Sequence, residues 1–306
     1  MVDKKIVFIG GKGGVGKSTT SAALAWKMAK EQKKTLLVST DPAHNTGHIF
    51  HKKIGPKKTK INDYLYAIEI DPAYETKKYI ETVKGNIKGV VKPTMMEEVH
   101  RQLDTAQASP GADEAALFDR LISIMIEESE AFDKVIFDTA PTGHTIRLLS
   151  LPEIMGIWIQ GLLEKRHKTR ENYTRLLHDG EPIDDPIFDV LQERQAKFKR
   201  AREIMLNGDE TAFMFVLNPE KLSIVETDNA IQLLKKYDLV VSTLIVNRVL
   251  PDVEDGTFFQ QRKKHERQYL QQIEEMFTRE KLMYVPFFSH DMNDSTHLEQ
   301  FASYLQ

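Results

Sequence analysis

The sequence predicts an α/β fold in which a doubly wound, mostly parallel sheet is covered by helices on both faces. Short runs of β-branched residues alternate with longer helical patterns, and most of these runs are apolar throughout. Strands buried on both faces by crossover helices have this composition. A glycine-rich turn between the first such run and the first helix is also typical of this fold class.

The candidate strands lie at regular intervals, except around two long stretches. We expect strands at residues 5–9, 35–39, 66–70, 134–138, 212–217, 239–246 and 282–285. Residues 73–131 and 152–208 are each far longer than one crossover helix requires, and both have helical patterns. We therefore predict one domain over 1–306, with two helical insertions that pack together as a subdomain.

Composition excludes several classes of function. The 306 residues include 42 basic and 45 acidic side chains, a near balance that disfavours binding to nucleic acid. The chain has 0 cysteines, which excludes disulfides, cysteine-ligated iron–sulfur clusters and thiolate zinc sites. No apolar run approaches the roughly 20 residues of a membrane span, and no signal peptide is recognisable. We expect a soluble, cytoplasmic protein.

A glycine-rich loop, GKGGVGKS at residues 11–18, follows the first strand and precedes an alanine-rich helix. Such a loop points its backbone N–H groups at phosphate oxygens, its lysine reaches the β- and γ-phosphates, and its serine binds Mg²⁺. Lys17 and Ser18 occupy those two positions, and the alternative is a flexible turn. The candidate nucleotide-binding residues of this segment are Gly11, Lys12, Gly13, Gly14, Val15, Gly16, Lys17, Ser18 and Thr19.

Lys12 is a second lysine inside the loop, which an ordinary nucleotide loop does not need. It lies too close to the start of the loop to serve the same phosphates easily from within one subunit. It is therefore a candidate for a nucleotide bound by a partner chain. The alternative is a solvated lysine.

Two aspartates end predicted strands. Asp41 follows the second strand, where it can face the γ-phosphate and orient or deprotonate a water, although a helix N-cap before Pro42 is an equal alternative. Asp138 ends the strand at 134–138 and suits a Mg²⁺ ligand acting through water, with a helix cap as the alternative. The turn at 141–143 is a candidate γ-phosphate sensor, and His144 is assigned a structural role.

Together, the segments GKGGVGKST, DPAHNTGH, DTAPTGHTIRLL, VNRVLP and VPFF resemble the ArsA and guided-entry family of arsenical pump-driving and tail-anchored protein targeting ATPases. The resemblance covers the whole chain. It implies a Mg²⁺-dependent ATPase that forms a homodimer, with the extra lysine reaching the opposing nucleotide site. It further implies that Asp41 positions the hydrolytic water and that residues 41–50 and 138–148 are switches. Asn247, Pro286 and Phe287 resemble the adenine-contacting positions.

The sequence departs from the family pattern in three ways. Many eukaryotic targeting ATPases carry a zinc-binding CxxC pair before an arginine equivalent to Arg262, whereas this chain has GTFF at 256–259, so no zinc is expected. Full-length arsenical pump ATPases fuse two halves and bind metalloid through cysteines, and this chain has one half and no cysteine. His48 replaces an aspartate often found in the first switch.

The insertions bear on the partner of the predicted ATPase. Residues 117–126 and 154–163 are more apolar than one buried helix face requires. These side chains either form the subdomain core or line a groove for a hydrophobic helical client. The sequence favours client targeting, with an energy-coupling subunit of an anion or metalloid efflux system as the alternative and a partition-type ATPase as a weaker one. The basic cluster at 262–264 is a solvated face.

Overall fold

The computed structural model describes most of the chain. The described residues are 4–41, 45–86, 93–107, 112–139, 149, 151, 156–157, 159–161, 163–164, 186–252, 256–292 and 294–305. The chain divides into two compact units. The first comprises Met1–Asp71, Glu127–Arg147 and Met205–Gln306, and the second comprises Pro72–Ile126 and Leu148–Ile204.

An eight-stranded sheet forms the centre of the first unit. Its strands are β1 (Ile6–Gly11), β2 (Thr35–Ser39), β3 (Thr59–Lys60), β4 (Leu65–Glu69), β5 (Lys134–Asp138), β6 (Thr211–Leu217), β7 (Val241–Val249) and β8 (Lys281–Pro286). Their order is β3-β4-β2-β5-β1-β6-β7-β8. All the pairings are parallel except that of β3 with β4. The predicted α/β class and mostly parallel sheet are therefore confirmed.

Helices connect these strands. Their bounds are α1 (Lys17–Lys30), α2 (Asn45–Ile49), α3 (Pro72–Asn86), α4 (Pro93–Gln107), α5 (Ala112–Ser123), α6 (Pro186–Leu206), α7 (Lys221–Lys235), α8 (Gly256–Met276) and α9 (Ser295–Ala302). A π-helical turn and a 3-10 turn join α5 to β5. Of the described helices, none is both long and apolar enough to cross a membrane.

The central strands are buried on both faces, as their uninterrupted apolar sequences predict. On one face Phe8 of β1 stacks between Phe137 and Phe213 of the neighbouring strands, with ring centroids 4.6 and 5.2 Å away. On the other face the alanines of α1, among them Ala22 and Ala25, are fully buried. Small side chains let this helix lie close to the sheet, which fixes where the loop between β1 and α1 emerges.

The second unit contains α3, α4, α5 and α6. Its core includes a contact between Phe118 and Phe198, whose ring centroids are 5.3 Å apart. The sequence left open whether the apolar side chains of residues 117–125 form a core or line a client groove. Most of them are buried within this unit, namely Leu117, Phe118, Leu121, Ile122, Ile124 and Met125. This burial favours the core interpretation for that stretch.

The predicted insertions, residues 73–131 and 152–208, overlap the two segments of the second unit. Their assignment as a subdomain of a single ATPase domain stays a prediction. In the second apolar stretch Ile159 and Leu163 are buried and Ile157 is exposed. Its residues 154–155, 158 and 162 lie outside the described part of the chain.

Candidate functional site

The glycine-rich loop lies between the end of β1 at Gly11 and the start of α1 at Lys17. Gly14 and Gly16 have φ angles of +81° and +102°, a backbone region that L side chains rarely adopt. At Gly16 there is also no room, because a Cβ atom would lie 2.4 Å from Nδ2 of Asn247. The loop conformation therefore depends on glycine at this position for two separate reasons.

Lys17 is the first residue of α1 and is only 5% exposed. Its Nζ donates a hydrogen bond to the carbonyl oxygen of Lys12, 3.1 Å away, across the loop. Burial lowers the pKa of the Lys17 ammonium, and the charges of Asp138 and Asp41 oppose that shift. The sequence-predicted lysine and both predicted aspartates thus lie within electrostatic reach of one another.

Asp138, at the end of β5, is 1% exposed. Its Oδ1 accepts from Oγ of Ser21 at 3.4 Å and its Oδ2 from Oγ of Ser39 at 3.5 Å. Burial raises the pKa of the Asp138 carboxyl to about 6, although hydrogen bonds from Ser18 and Ser21 and the charge of Lys17 act in the opposite direction. A carboxylate beside the Ser18 hydroxyl is a hard oxygen donor set that fits Mg²⁺.

Asp41 lies two residues after the end of β2 and is half-buried. Its backbone N–H donates a hydrogen bond to Oγ of Ser39 at 3.3 Å. The preceding residue, Thr40, donates two hydrogen bonds to the carbonyl oxygen of Asp138, one from its N–H and one from its hydroxyl. These bonds attach the start of the predicted first switch to the end of β5. The predicted switch residues 42–44 and 140–148, with the turn at 141–143 and His144, lie outside the described residues.

A cavity of about 450 Å³ adjoins the loop. Its walls include the three residues predicted to contact adenine together with two residues of the loop and first helix, and these are Asn247, Pro286, Phe287, Gly16 and Thr19. The Nδ2 of Asn247 donates to the carbonyl oxygen of Val15 at 2.8 Å. One buried amide therefore both lines the cavity and fixes the backbone of the phosphate-binding loop.

Lys12 is partly exposed, and the following Gly13 is exposed. The Nζ of Lys12 is 3.7 Å from Oε1 of Glu226 on α7, and both side chains are partly exposed. Within one chain the second lysine thus has a counter-ion outside the cavity. The described residues contain no group of three or more His, Cys, Asp or Glu side chains that suits a metal ion, and the expectation of no zinc stays a prediction.

Several residues at this site were not identified from the sequence. Ser21 and Ser39 hydrogen-bond Asp138, but a serine inside a helix or at a strand end carries no distinctive signal. The wall of the cavity beyond β8 is formed by Phe288, Ser289, His290, Asp291 and Met292. Their position directly after the predicted adenine-contacting pair was the one available clue.

The sequence matches the anion-transporting ATPase family over residues 4–306. It is 32% identical over 301 residues to a putative arsenical pump-driving ATPase 2 of Aquifex aeolicus. The alignment covers 98% of this chain and 99% of the relative. It is 34% identical to the ATPase get3 of Schizosaccharomyces pombe, in an alignment that covers 98% of this chain and 91% of the relative. A Paramecium tetraurelia ATPase ASNA1 homolog 1 is 32% identical, with coverage of 98% and 92%. These matches confirm the resemblance of the sequence motifs: the chain is an ATPase that belongs to the anion-transporting ATPase family.

Proposed function

We propose that this ATPase is a Mg²⁺-dependent homodimeric switch that binds hydrophobic helical segments of tail-anchored membrane proteins and delivers them to a membrane receptor. The observation that carries the enzymatic part is the meeting of Lys17, Asp138 and Asp41 at the carboxyl ends of β1, β5 and β2. Ligands of doubly wound sheets bind at this edge. The proposal for the client rests on the family resemblance and on a hollow in the second unit to which Ile157 is exposed.

Each group at this edge has a distinct role in the proposed hydrolysis. The loop N–H groups and Lys17 bind the phosphates, which offsets the negative charge that spreads over the transferred phosphoryl group. Ser18 and, through water, Asp138 would hold Mg²⁺, and the ion would supply positive charge that offsets the charge of the phosphates. Asp41 orients the attacking water and accepts its proton. Asn247, Pro286 and Phe287 contact the base.

Lys12 acts across the dimer interface in this proposal. Its ion pair with Glu226 is partly exposed, and pairs of that kind contribute only about 0–1 kcal/mol. Little free energy therefore holds Lys12 against its own subunit. On dimer closure the ammonium is free to reach the nucleotide of the facing subunit and to stabilise charge in the transition state.

A subunit-mixing experiment tests this assignment. We expect Lys12→Ala and Asp41→Asn homodimers each to hydrolyse ATP at about 1% of the wild-type rate or less, since each removes one transition-state group. Co-refolding the two variants in equal amounts should restore about one quarter of wild-type activity, because half of the dimers then contain one complete site. Phosphate release measures this recovery.

The matched control replaces Lys30, an exposed lysine of α1 paired with Glu299, and Lys30→Ala should keep its activity. If mixing restores nothing although mixed dimers are present, Lys12 acts within its own subunit. Wild-type turnover by a Lys12→Ala variant would remove the lysine from catalysis altogether.

The second unit offers one described surface for a client. A hollow of about 640 Å³ is lined by Gly156, Ile157, Gln160, Gln192, Gln195, Ala196, Phe198, Lys199 and Arg202. Ile157 is 69% exposed in this hollow, whereas Phe198 is buried and glutamine, lysine and arginine side chains form much of the remaining wall. Because residues 117–125 are mostly buried, we place the client on this surface and not along α5.

Nucleotide-dependent capture of a peptide tests the client. Asp41→Asn protein, offered an apolar helix of about 20 residues, should form a stable complex in Mg-ATP and a weaker one without nucleotide. The Lys17→Ala variant is the control, because it lacks the phosphate-binding ammonium and should not respond to ATP. Complex formation is followed by size-exclusion chromatography with a labelled peptide.

Failure of that capture would favour a second candidate, the energy-coupling subunit of an anion or metalloid efflux system. Its specific support is the Aquifex relative, whose name denotes a pump-driving ATPase and which this chain matches over 99% of its length. No binding in any nucleotide state, from protein shown to bind ATP, would assign the chain to such a pump. Cysteine-based metalloid activation is excluded for it by the absence of cysteine.

A further inference from the structure

We infer that Glu69 is a positioning residue for catalysis, which holds the far end of the segment that carries Asp41. The inference deepens the proposed function and rests on it, since it requires Asp41 to align the attacking water. Glu69 ends β4, on the other side of β2 from Asp138. No sequence motif singled it out.

Glu69 is 4% exposed, and its Oε1 accepts a hydrogen bond from the backbone N–H of Gly47 at 2.8 Å. Gly47 belongs to α2, the short helix that follows Asp41 in the chain. A buried carboxylate is costly unless hydrogen bonds satisfy it, so this bond is not easily given up. It attaches α2 to the end of β4.

The end of β2 connects this anchor to the nucleotide site. Ser39 is the register partner of Glu69 on one side and of Asp138 on the other, so the three residues form a row across β4, β2 and β5. Oγ of Ser39 accepts from the N–H of Asp41 and lies 3.5 Å from Oδ2 of Asp138. After Ser39, the middle residue of this row, the chain continues to Asp41. It is attached to the row again at Gly47, through the hydrogen bond to Glu69.

Gly47 fits this attachment sterically. A Cβ atom at this position would lie 2.9 Å from the carbonyl oxygen of Lys52 and 3.7 Å from Oε1 of Glu69. The backbone of α2 is thus held closely between its own following turn and the carboxylate. The conflict of a side chain at position 47 is with the carbonyl of Lys52, and relieving it would shift the N–H of Gly47 relative to Glu69 without altering any residue of the phosphate-binding loop.

Misplacement of a catalytic group by a fraction of an ångström lowers the rate of the chemical step more than it lowers substrate affinity. We expect Glu69→Met, which removes the acceptor at similar volume, to reduce kcat for ATP about tenfold while KM stays within about twofold. Glu69→Gln keeps an acceptor oxygen and should stay within about threefold of wild type. Gly47→Ala should reproduce the loss of kcat from the donor side of the bond.

Hydrogen exchange supplies a readout of the bond itself. A peptide spanning residues 45–50 should exchange faster in Glu69→Met than in wild type and remain protected in Glu69→Gln. The control is Glu266→Met, which removes another buried glutamate whose carboxylate accepts from a backbone N–H, that of Leu250 at 3.1 Å, at the end of β7. It should lower Tm without a comparable loss of kcat.

Wild-type kcat in both Glu69→Met and Gly47→Ala would overturn the inference. A loss of kcat in these variants no larger than that in Glu266→Met, when the variants have equal Tm, would overturn it as well. If Glu69→Met does not fold, the kcat of Gly47→Ala and its hydrogen exchange at residues 45–50 decide the question, because Glu69→Gln is expected near wild type in either case. Asp41→Asn is measured in parallel. Unchanged turnover in Asp41→Asn refutes the proposed role of Asp41, whereas lost turnover there with normal Glu69 and Gly47 variants refutes only the role of Glu69.

Discussion

Asp41→Asn should reduce ATP turnover by about a thousandfold while ATP binding is retained. Asparagine has the size of aspartate and keeps the backbone bond to Ser39, but it cannot accept a proton from water. General base catalysis contributes about 10²- to 10⁴-fold to a rate, which sets the size of the expected loss. Binding should not weaken, because the substitution removes a negative charge near the phosphates.

Two measurements separate these effects. Single-turnover phosphate release reports the chemical step, and titration with a fluorescent ATP analogue reports affinity. Asp209→Asn is the control, because Asp209 is an exposed carboxylate paired with Lys4 before the start of β6, outside the candidate site. Turnover within twofold of wild type would remove Asp41 from catalysis and leave the helix cap as the remaining interpretation from the sequence.

Gly16→Ala should weaken ATP binding at least thirtyfold, whereas Gly14→Ala should have a much smaller effect. Both glycines have positive φ, so each substitution costs about 1–2 kcal/mol in backbone strain. Only at Gly16 does the new Cβ also meet Nδ2 of Asn247, 2.4 Å away, whereas a Cβ at Gly14 has no atom within 4 Å. Displacing the buried bond from Asn247 to Val15 adds about 1–3 kcal/mol.

Comparison of Gly16→Ala with Gly14→Ala separates the effect of the steric clash on ATP affinity from the effect of backbone conformation. ATP affinity by calorimetry and Tm by thermal unfolding are measured for both, because the strain can appear in either quantity. If the two variants lose affinity equally, backbone conformation alone explains the requirement for glycine. Because Asn247→Ala removes a proposed base contact and lowers affinity by itself, the double variant is compared with that single variant: an unchanged cost of Gly16→Ala indicates backbone conformation, and a smaller cost supports the steric explanation.

The sequence predicted the sheet and the centre of the site because both have strong local signals. Uninterrupted apolar runs identified the strands of the central sheet to within a few residues at their ends. A strand of two residues, β3, has too few residues for any pattern and was not predicted. The loop and the aspartates at strand ends were predicted as site residues because parallel topology brings such ends together. In the structure the charge of Lys17 acts on the pKa of Asp138, and the roles of these residues stay predictions.

Other features depend on contacts between distant parts of the chain. Glu69 carries no signal in the sequence, because its proposed role arises from the register of β4 beside β2 and from the hydrogen bond that Gly47 donates to it. The apolar residues of α5 remained ambiguous because hydrophobicity indicates that a face is covered but not what covers it. Burial of Leu117 and Phe118 within the second unit supplied that information.

The edges of the sheet restrict how two copies of this chain can associate. At one edge of the described sheet stands β3, which has only two residues and presents the exposed Lys60. At the other, β8 begins with the exposed Lys281 and ends at Pro286, which has no backbone N–H to donate. Short, charged or proline-bearing edges oppose the addition of a further strand. In the proposed homodimer two subunits are therefore not expected to join their sheets edge to edge into one continuous sheet, which leaves loops and helices as the surfaces through which the proposed nucleotide sites can face each other.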